Sequence, residues 1–124
     1  MKLRFRNNSL RLRLNRREVE TVASGSALEE RVAFPGSGSL AYILDDNAQF
    51  GPEASFREGV IRISAPPSEL KQWAGSSGIG LYFELPVSGS VLKIAIEKDL
   101  ECLDAPAEER DPEAFPRSPT ANCA

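Results

Sequence analysis

The chain has 124 residues, of which 41% are hydrophobic and 27% are charged, as is typical of one soluble globular domain. It contains no histidine, which excludes the most common general base and metal ligand and the usual partner of a catalytic serine or cysteine. The formal net charge is −3, and no apolar run reaches the roughly 18 residues that a membrane helix needs. The N-terminus interrupts its apolar residues with arginine, unlike a signal peptide, so we expect a cytoplasmic protein without membrane contact.

In chain order, the sequence predicts two strands, a helix, four strands, a second helix and two strands. Alternating or continuous apolar residues place the strands over 2–6, 9–14, 28–34, 40–44, 54–57, 60–65, 78–85 and 91–97. Asn15 and Glu18 have the spacing of a capping box, which predicts a helix over 16–24. A proline pair followed by Ser68 opens the second helix, over 68–74.

This order predicts an α+β domain over residues 1–103, built on a largely antiparallel, strongly curved sheet that approaches a barrel. The strand over 40–44 is apolar on both faces, so we expect it to be buried on both. Residues 104–124 are rich in proline and acidic side chains, which predicts an extended C-terminal tail that cannot fold alone. No internal repeat is evident in the sequence.

A stripe of basic side chains lines one face of the first two predicted strands. Because side chains alternate along a strand, a hairpin brings together Lys2, Arg4, Arg6, Arg11 and Arg13. Like charges that face each other across strands are destabilising, so this face needs water, carboxylates or a bound anion. Arginine suits bidentate pairing with carboxylate or phosphate. We therefore take Arg4, Arg6, Arg11 and Arg13 as candidate anion-binding residues.

The acidic residues concentrate at the other end of the chain. Residues 1–17 hold seven Lys or Arg and no acid, whereas 97–113 hold eight Asp or Glu against two basic residues. The favoured interpretation is that these acids pair with the N-terminal arginines. Glu97, Asp99 and Glu101 recur at every second position, an arrangement that is also a candidate site for Mg²⁺ or Ca²⁺.

The sequence leaves several functions open. We favour a non-enzymatic module that binds a protein partner or a small anionic ligand, with its basic face partly covered by its own acidic C-terminal segment. The alternative is a metal-dependent phosphate-ester or nucleotide-processing enzyme that uses the arginines on phosphates and the carboxylates on the metal. A nucleic-acid binder is disfavoured because the pI is about 5.1 and Phe5 points with the leucines. No cofactor is indicated.

The two cysteines and the single tryptophan each have two interpretations. Cys102 and Cys123 are either free thiols, as is usual in a reducing cytosol, or a disulfide that would fasten the tail to the domain. Trp73 is typical of a core residue, and if it is exposed it is the best candidate for a partner contact.

Four segments resemble a small group of bacterial proteins of about this length that are known only as a domain of unknown function. These segments are NSLRLRL before Glu18-Val19, LAYIL over 40–44, IEKDLECL over 96–103, and a tail with ERDPEAFP that ends near Cys123. The resemblance spans nearly the whole chain. It implies no activity, but it implies that IEKDLECL and the tail belong to the domain.

Overall fold

The structure is a computed structural model and describes residues 1–100. Its elements are β1 (Lys2–Arg6), β2 (Ser9–Leu14), α1 (Arg16–Ala23), β3 (Leu28–Ala33), β4 (Ser39–Asp45), β5 (Glu53–Arg57), β6 (Val60–Ser64), α2 (Pro67–Gly75), β7 (Gly80–Val87) and β8 (Ser90–Lys98). The predicted α+β class and the predicted order of elements are confirmed. The predictions for Glu101, Cys102, Cys123 and the tail over 104–124 concern residues outside the described part of the chain.

The strands form two four-stranded sheets. Sheet A has the order β1-β2-β8-β7, and sheet B has the order β3-β4-β6-β5. In each sheet, two antiparallel hairpins meet along a central parallel pair, which is β2 with β8 in sheet A and β4 with β6 in sheet B. The prediction of one curved, barrel-like sheet is therefore wrong. Alternation along a strand indicates which side chains face the core, but it does not indicate which hairpin lies next to which.

The topology repeats within the chain, although the sequence shows no evident repeat. Residues 2–45 run strand–strand–helix–strand–strand, and residues 53–98 run through the same order. Each sheet takes one hairpin from each half, so neither half completes a sheet alone. The two halves are therefore interlocked through the central parallel pairs.

The first hairpin of each half turns through a residue with a left-handed backbone. Asn7 and Glu58 both have a φ of 52°, a region that few residues other than glycine adopt. Gly59 follows with a φ of 75°, and a Cβ at this position would lie 2.8 Å from the carbonyl oxygen of Ser39. The Gly59 carbonyl also accepts a hydrogen bond from the Ala41 N–H at 2.9 Å. Glycine thus lets this turn lie against the start of β4.

The two helices occupy equivalent places in the repeat. Helix α1 begins with the predicted capping box, in which Asn15 and Glu18 each accept a hydrogen bond from the other's backbone N–H at 2.9 Å. The buried face of α1 carries Val19 and Val22, and the buried face of α2 carries Leu70 and Trp73. The helices contact each other, so both halves contribute to one core.

This core joins both sheets and both helices. Its large members are Leu10, Leu12, Leu14, Val19, Val22, Leu44, Ile63, Leu70, Trp73, Ile94 and Ile96. Trp73 is 3% exposed and its Nε1 donates to the carbonyl of Ile79 at 3.0 Å. The exposure that a partner contact through Trp73 requires is therefore absent. Ala41, Ile43 and Leu44 are all buried, which fits the strand expected to be apolar on both faces.

Among residues 1–100, neither helix has the length and apolar character needed to cross a bilayer.

Replacing Leu12 with alanine is expected to lower the free energy of unfolding by about 2–5 kcal/mol, because this side chain is 1% exposed and its removal leaves a cavity. Urea denaturation followed by circular dichroism measures the change. Phe50→Ala is the control, since Phe50 is 95% exposed and its loss is expected to change stability by no more than about 0.5 kcal/mol. Equal effects of the two substitutions would contradict the assigned core.

Candidate functional site

The face of sheet A that is turned away from the core carries its side chains in rows across the four strands. The carboxylate row consists of Lys2, Arg13, Glu97 and Gly80. The middle row consists of Arg4, Arg11, Ala95 and Tyr82. The turn row, nearest the β1–β2 turn, consists of Arg6, Ser9, Lys93 and Glu84. The four candidate arginines therefore share one face, and the pairing of β2 with β8 adds residues from the far end of the chain.

Carboxylates at the end of β8 neutralise one side of this face. Glu97 Oε1 lies 3.0 Å from Arg11 Nε and 3.8 Å from Arg13 Nε. Asp99 Oδ2 lies 2.9 Å from Lys2 Nζ. These contacts are ion pairs between the acidic and basic segments that the sequence places at opposite ends of the chain.

The same carboxylates were candidates for a metal site. Glu97 and Asp99 have cationic partners, and the third candidate, Glu101, lies outside the described residues. Within residues 1–100, no three acidic or thiol side chains come together in a way that would hold a metal ion. The predicted metal site stays a prediction.

Tyr82 completes the surroundings of Glu97. Its hydroxyl donates to Glu97 Oε2 at 2.8 Å, and this hydrogen bond, together with burial, raises the pKa of Tyr82. A Cβ on Gly80 would come within 2.7 Å of the Tyr82 hydroxyl oxygen, so the glycine leaves room for this side chain. Tyr82 nevertheless remains 62% exposed. Tyr82 therefore presents an accessible aromatic ring that the hydrogen bond to Glu97 orients.

A groove of about 560 Å³ crosses the outer face between the middle row and the turn row. The side chains along it are Arg4, Arg6, Arg11, Tyr82, Glu84 and Lys93, with Ser9 and Ala95 between them. The main chain of Leu10, Phe83 and Ile94, whose side chains turn to the core, completes the lining. Ala95 separates Arg11 from Tyr82 in the middle row, and its small side chain leaves a gap between them.

The groove has an excess of positive charge. Four cationic side chains and one carboxylate line it. Arg11 is paired with Glu97, whereas the side chains of Arg6 and Lys93 make no ion pair or hydrogen bond with any other residue of the described chain. Glu84 lies opposite Lys93 in the β7–β8 register, at the β7 end of the groove. An anion that enters the groove would meet Arg6 and Lys93 without displacing an existing partner among residues 1–100.

Sheet B has the same topology but lacks this excess of cations. Arg62 Nη1 lies 2.7 Å from Asp45 Oδ2. When the two halves of the chain are aligned by their strands, this pair occupies the positions of Arg11 and Glu97 in sheet A. The charged side chains on the corresponding face of its strands are balanced, namely Arg31, Arg57 and Arg62 with Glu29, Asp45 and Glu53. The ion pair therefore occurs in both sheets, whereas the excess of cations occurs only in sheet A.

The comparisons with known proteins bear on this geometry through one match. The model of a family of unknown function, DUF7009, matches residues 1–119. The chain belongs to this family. Comparison with curated proteins and with solved structures found no match. The resemblance to an uncharacterised domain of about this length is confirmed, and the DUF7009 match covers both sheets and the whole groove.

Sequence reasoning found the arginines of this DUF7009 domain but missed the rest of the groove. Alternation in the sequence puts Lys93 on the same face as Glu97, and an aromatic residue such as Tyr82 is by itself typical of the core or its edge. Neither assignment connects these residues to Arg6 or Arg11, because that connection depends on β8 lying beside β2. The one local signal was the Lys93–Ala95–Glu97 alternation, which marks an outer face with a small residue at its centre.

Asp45 is the most buried carboxylate of the described chain, and hydrogen bonds from three residues stabilise its ionised form. Burial opposes ionisation, but hydrogen bonds from the Ser64 hydroxyl, the Asn47 N–H and Arg62 outweigh burial and lower the pKa of Asp45. A carboxyl whose pKa is lower in the folded state than in the unfolded state stabilises the fold above its unfolded pKa. This stabilisation is lost as the pH falls through the folded pKa.

Asp45→Asn is therefore expected to lower the free energy of unfolding at pH 7 by about 1–3 kcal/mol, because the amide has no charge to pair with Arg62 and only one oxygen in place of the two that accept from Arg62 and Ser64. The difference from the wild type should shrink as the pH falls below about 4, where the carboxyl of the unfolded chain takes up its proton. Denaturant titrations at several pH values measure this. Glu29→Gln is the control, since its pair with Arg31 is long and exposed. A wild-type advantage that did not change with pH would contradict the assigned role.

Proposed function

We propose that this protein is a non-enzymatic binding module that holds an anionic group in the groove of sheet A. The observation that supports this most directly is the position of Arg6 and Lys93, which line one concave surface without partners among residues 1–100. Guanidinium and ammonium groups form short, charge-assisted hydrogen bonds with phosphate and carboxylate oxygens. A bound anion would replace water as the acceptor for these two exposed side chains.

The arrangement of charge along β2 also favours binding at this place. Glu97 and Asp99 offset the cations of the carboxylate row, at the end of the sheet where β8 finishes. At the other end, Arg6 and Lys93 flank Ser9 and have no ion-pair partner among residues 1–100. Like charges in such positions are destabilising unless a counter-charge arrives. Positive charge that is concentrated in one groove in this way favours the binding of an anionic ligand there.

The enzymatic alternative has less support from the geometry. Glu97 lies between Arg11, Arg13 and the Tyr82 hydroxyl, and Asp99 lies beside Lys2. A metal ion would have to compete with these partners for the same oxygen atoms. The arginines alone could position a phosphate, but a groove that only positions an anion is a binding site.

We further propose that the acidic segment after β8 competes for the same face. Residues 104–124 carry five acidic and two basic side chains. The Asp99 N–H donates to the Leu14 carbonyl at 2.8 Å, and the Asp99 carboxylate pairs with Lys2. The chain therefore continues from a point next to the basic face. An acidic segment that starts there is at a high effective concentration for the cations of sheet A.

Replacing Arg6 or Lys93 with glutamine is expected to weaken the binding of pyrophosphate by about 5-fold or more, because each substitution removes a charged hydrogen-bond donor from the groove. Isothermal titration calorimetry at low salt measures the affinity. Arg57→Gln is a matched control, since Arg57 ends the first strand of its half as Arg6 does, but in sheet B. No pyrophosphate binding by the wild type, or an equal loss from Arg57→Gln, would contradict the proposal.

Removing residues 104–124 is expected to tighten pyrophosphate binding and to lower thermal stability or solubility at low salt, because the face loses a counter-charge. Calorimetry and thermal denaturation at low and high salt separate the two effects, and added salt should reduce both. Unchanged affinity together with unchanged thermal stability would show that the segment does not act on this face.

A further inference from the structure

We propose that the ligand of the groove joins a planar aromatic ring to a phosphate group, as the simplest nucleotides do, with the ring on Tyr82 and the phosphate at Arg6 and Lys93. This inference rests on the proposed anion-binding function and adds a second, chemically different half to the site. Its basis is that the two sides of the groove carry different kinds of side chain. Strands β1, β2 and β8 contribute the cations, whereas β7 contributes Tyr82 and Glu84.

The ring end of the groove is formed by Tyr82. The hydrogen bond to Glu97 positions its side chain over Gly80, while 62% of the residue remains exposed. An exposed aromatic ring in a fixed position offers a flat surface for stacking at little cost in conformational entropy. Stacking of a base on an aromatic side chain contributes about 1–3 kcal/mol. Tyr82 is the only aromatic side chain that the described strands of sheet A place on this face.

The phosphate end is set apart from the ring end by Ala95. Neighbouring strands lie about 4.8 Å apart, so the Cα atoms of Tyr82 and Arg11 are about 10 Å apart, with only the methyl group of Ala95 between them. Glu84 repels an anion at the β7 end and so directs a phosphate toward Arg6 and Lys93. The Glu84 carboxylate can instead accept hydrogen bonds from ring amino groups or sugar hydroxyls.

The size of the groove and its single aromatic residue bear on the class of ligand. A volume of about 560 Å³ lies within the range of small-molecule sites, about 300–1,000 Å³. A small dicarboxylate would use only the cationic end and leave Tyr82 without a role. A single-stranded nucleic acid usually stacks successive bases on several aromatic side chains, and the described part of this face supplies one. One ring and one phosphate group therefore match the groove best.

The test compares three probes on the full chain by calorimetry, namely adenosine monophosphate, ribose phosphate and adenosine. Adenosine monophosphate is expected to bind at least about 5-fold more tightly than ribose phosphate, because it alone of these two can stack on Tyr82. Adenosine should bind more weakly than adenosine monophosphate, because it lacks the phosphate. Tyr82→Ala should remove the preference for adenosine monophosphate over ribose phosphate.

Tyr82→Phe separates the ring from the hydroxyl. This variant loses the hydrogen bond to Glu97 but keeps the stacking surface, so it should retain most of the preference for adenosine monophosphate. Phe50→Ala is the control for loss of an exposed aromatic residue elsewhere and should bind all three probes as the wild type does. Thermal denaturation of each variant verifies that it is folded.

The outcomes distinguish the ring site from the anion site. Equal binding of adenosine monophosphate and ribose phosphate, or a preference that survives Tyr82→Ala, would overturn the ring site while the anion site stands. Much tighter binding of an oligoadenylate than of adenosine monophosphate would also overturn it, in favour of a single strand. If neither phosphate probe nor pyrophosphate binds the wild type, the proposed anion-binding function itself fails.

Discussion

The parallel pairing of β2 with β8 is the contact on which the rest of sheet A depends. It joins a hairpin from the start of the chain to a hairpin from the end of the described residues. On its inner side it places Leu10 and Leu12 beside Ile94 and Ile96, at the centre of the core. On its outer side the same pairing places Arg11 beside Ala95. One set of backbone hydrogen bonds therefore builds the core on one face and the groove on the other.

The outer face of sheet A differs in its charge pairing between the two ends of strand β8. Toward the end of β8, carboxylates offset the N-terminal cations, and Glu97 also holds Tyr82 in place. Toward the β1–β2 turn, Arg6 and Lys93 have no such partners among residues 1–100. Repulsion between like charges is thus confined to a region of a few side chains. Proteins often accept local repulsion of this kind at functional sites and compensate for it elsewhere in the fold.

A comparison of sheet A with sheet B separates the features that both halves share from those that only sheet A has. Both sheets have the same strand order and the same ion pair beside the central parallel strands, as Arg62 with Asp45 and as Arg11 with Glu97. In sheet B three hydrogen-bond donors satisfy the carboxylate of that pair, Asp45. In sheet A it stands next to an open groove. Each sheet takes one hairpin from each half, so the two sheets form one interlocked unit, and the DUF7009 match spans both halves.

The sequence by itself determined the elements and the faces of this protein, because these depend on interactions between near neighbours. Alternation in LRLRL places the arginines on one face, and the spacing of Asn15 and Glu18 fixes the start of α1. Only the tertiary structure decided which hairpins meet, that the order of elements repeats, that Trp73 is buried, and that Lys93 and Tyr82 join Arg6 at one groove. The reason is physical. Several hairpin arrangements bury the same apolar faces, and the choice among them is made by packing between residues that are distant in the chain.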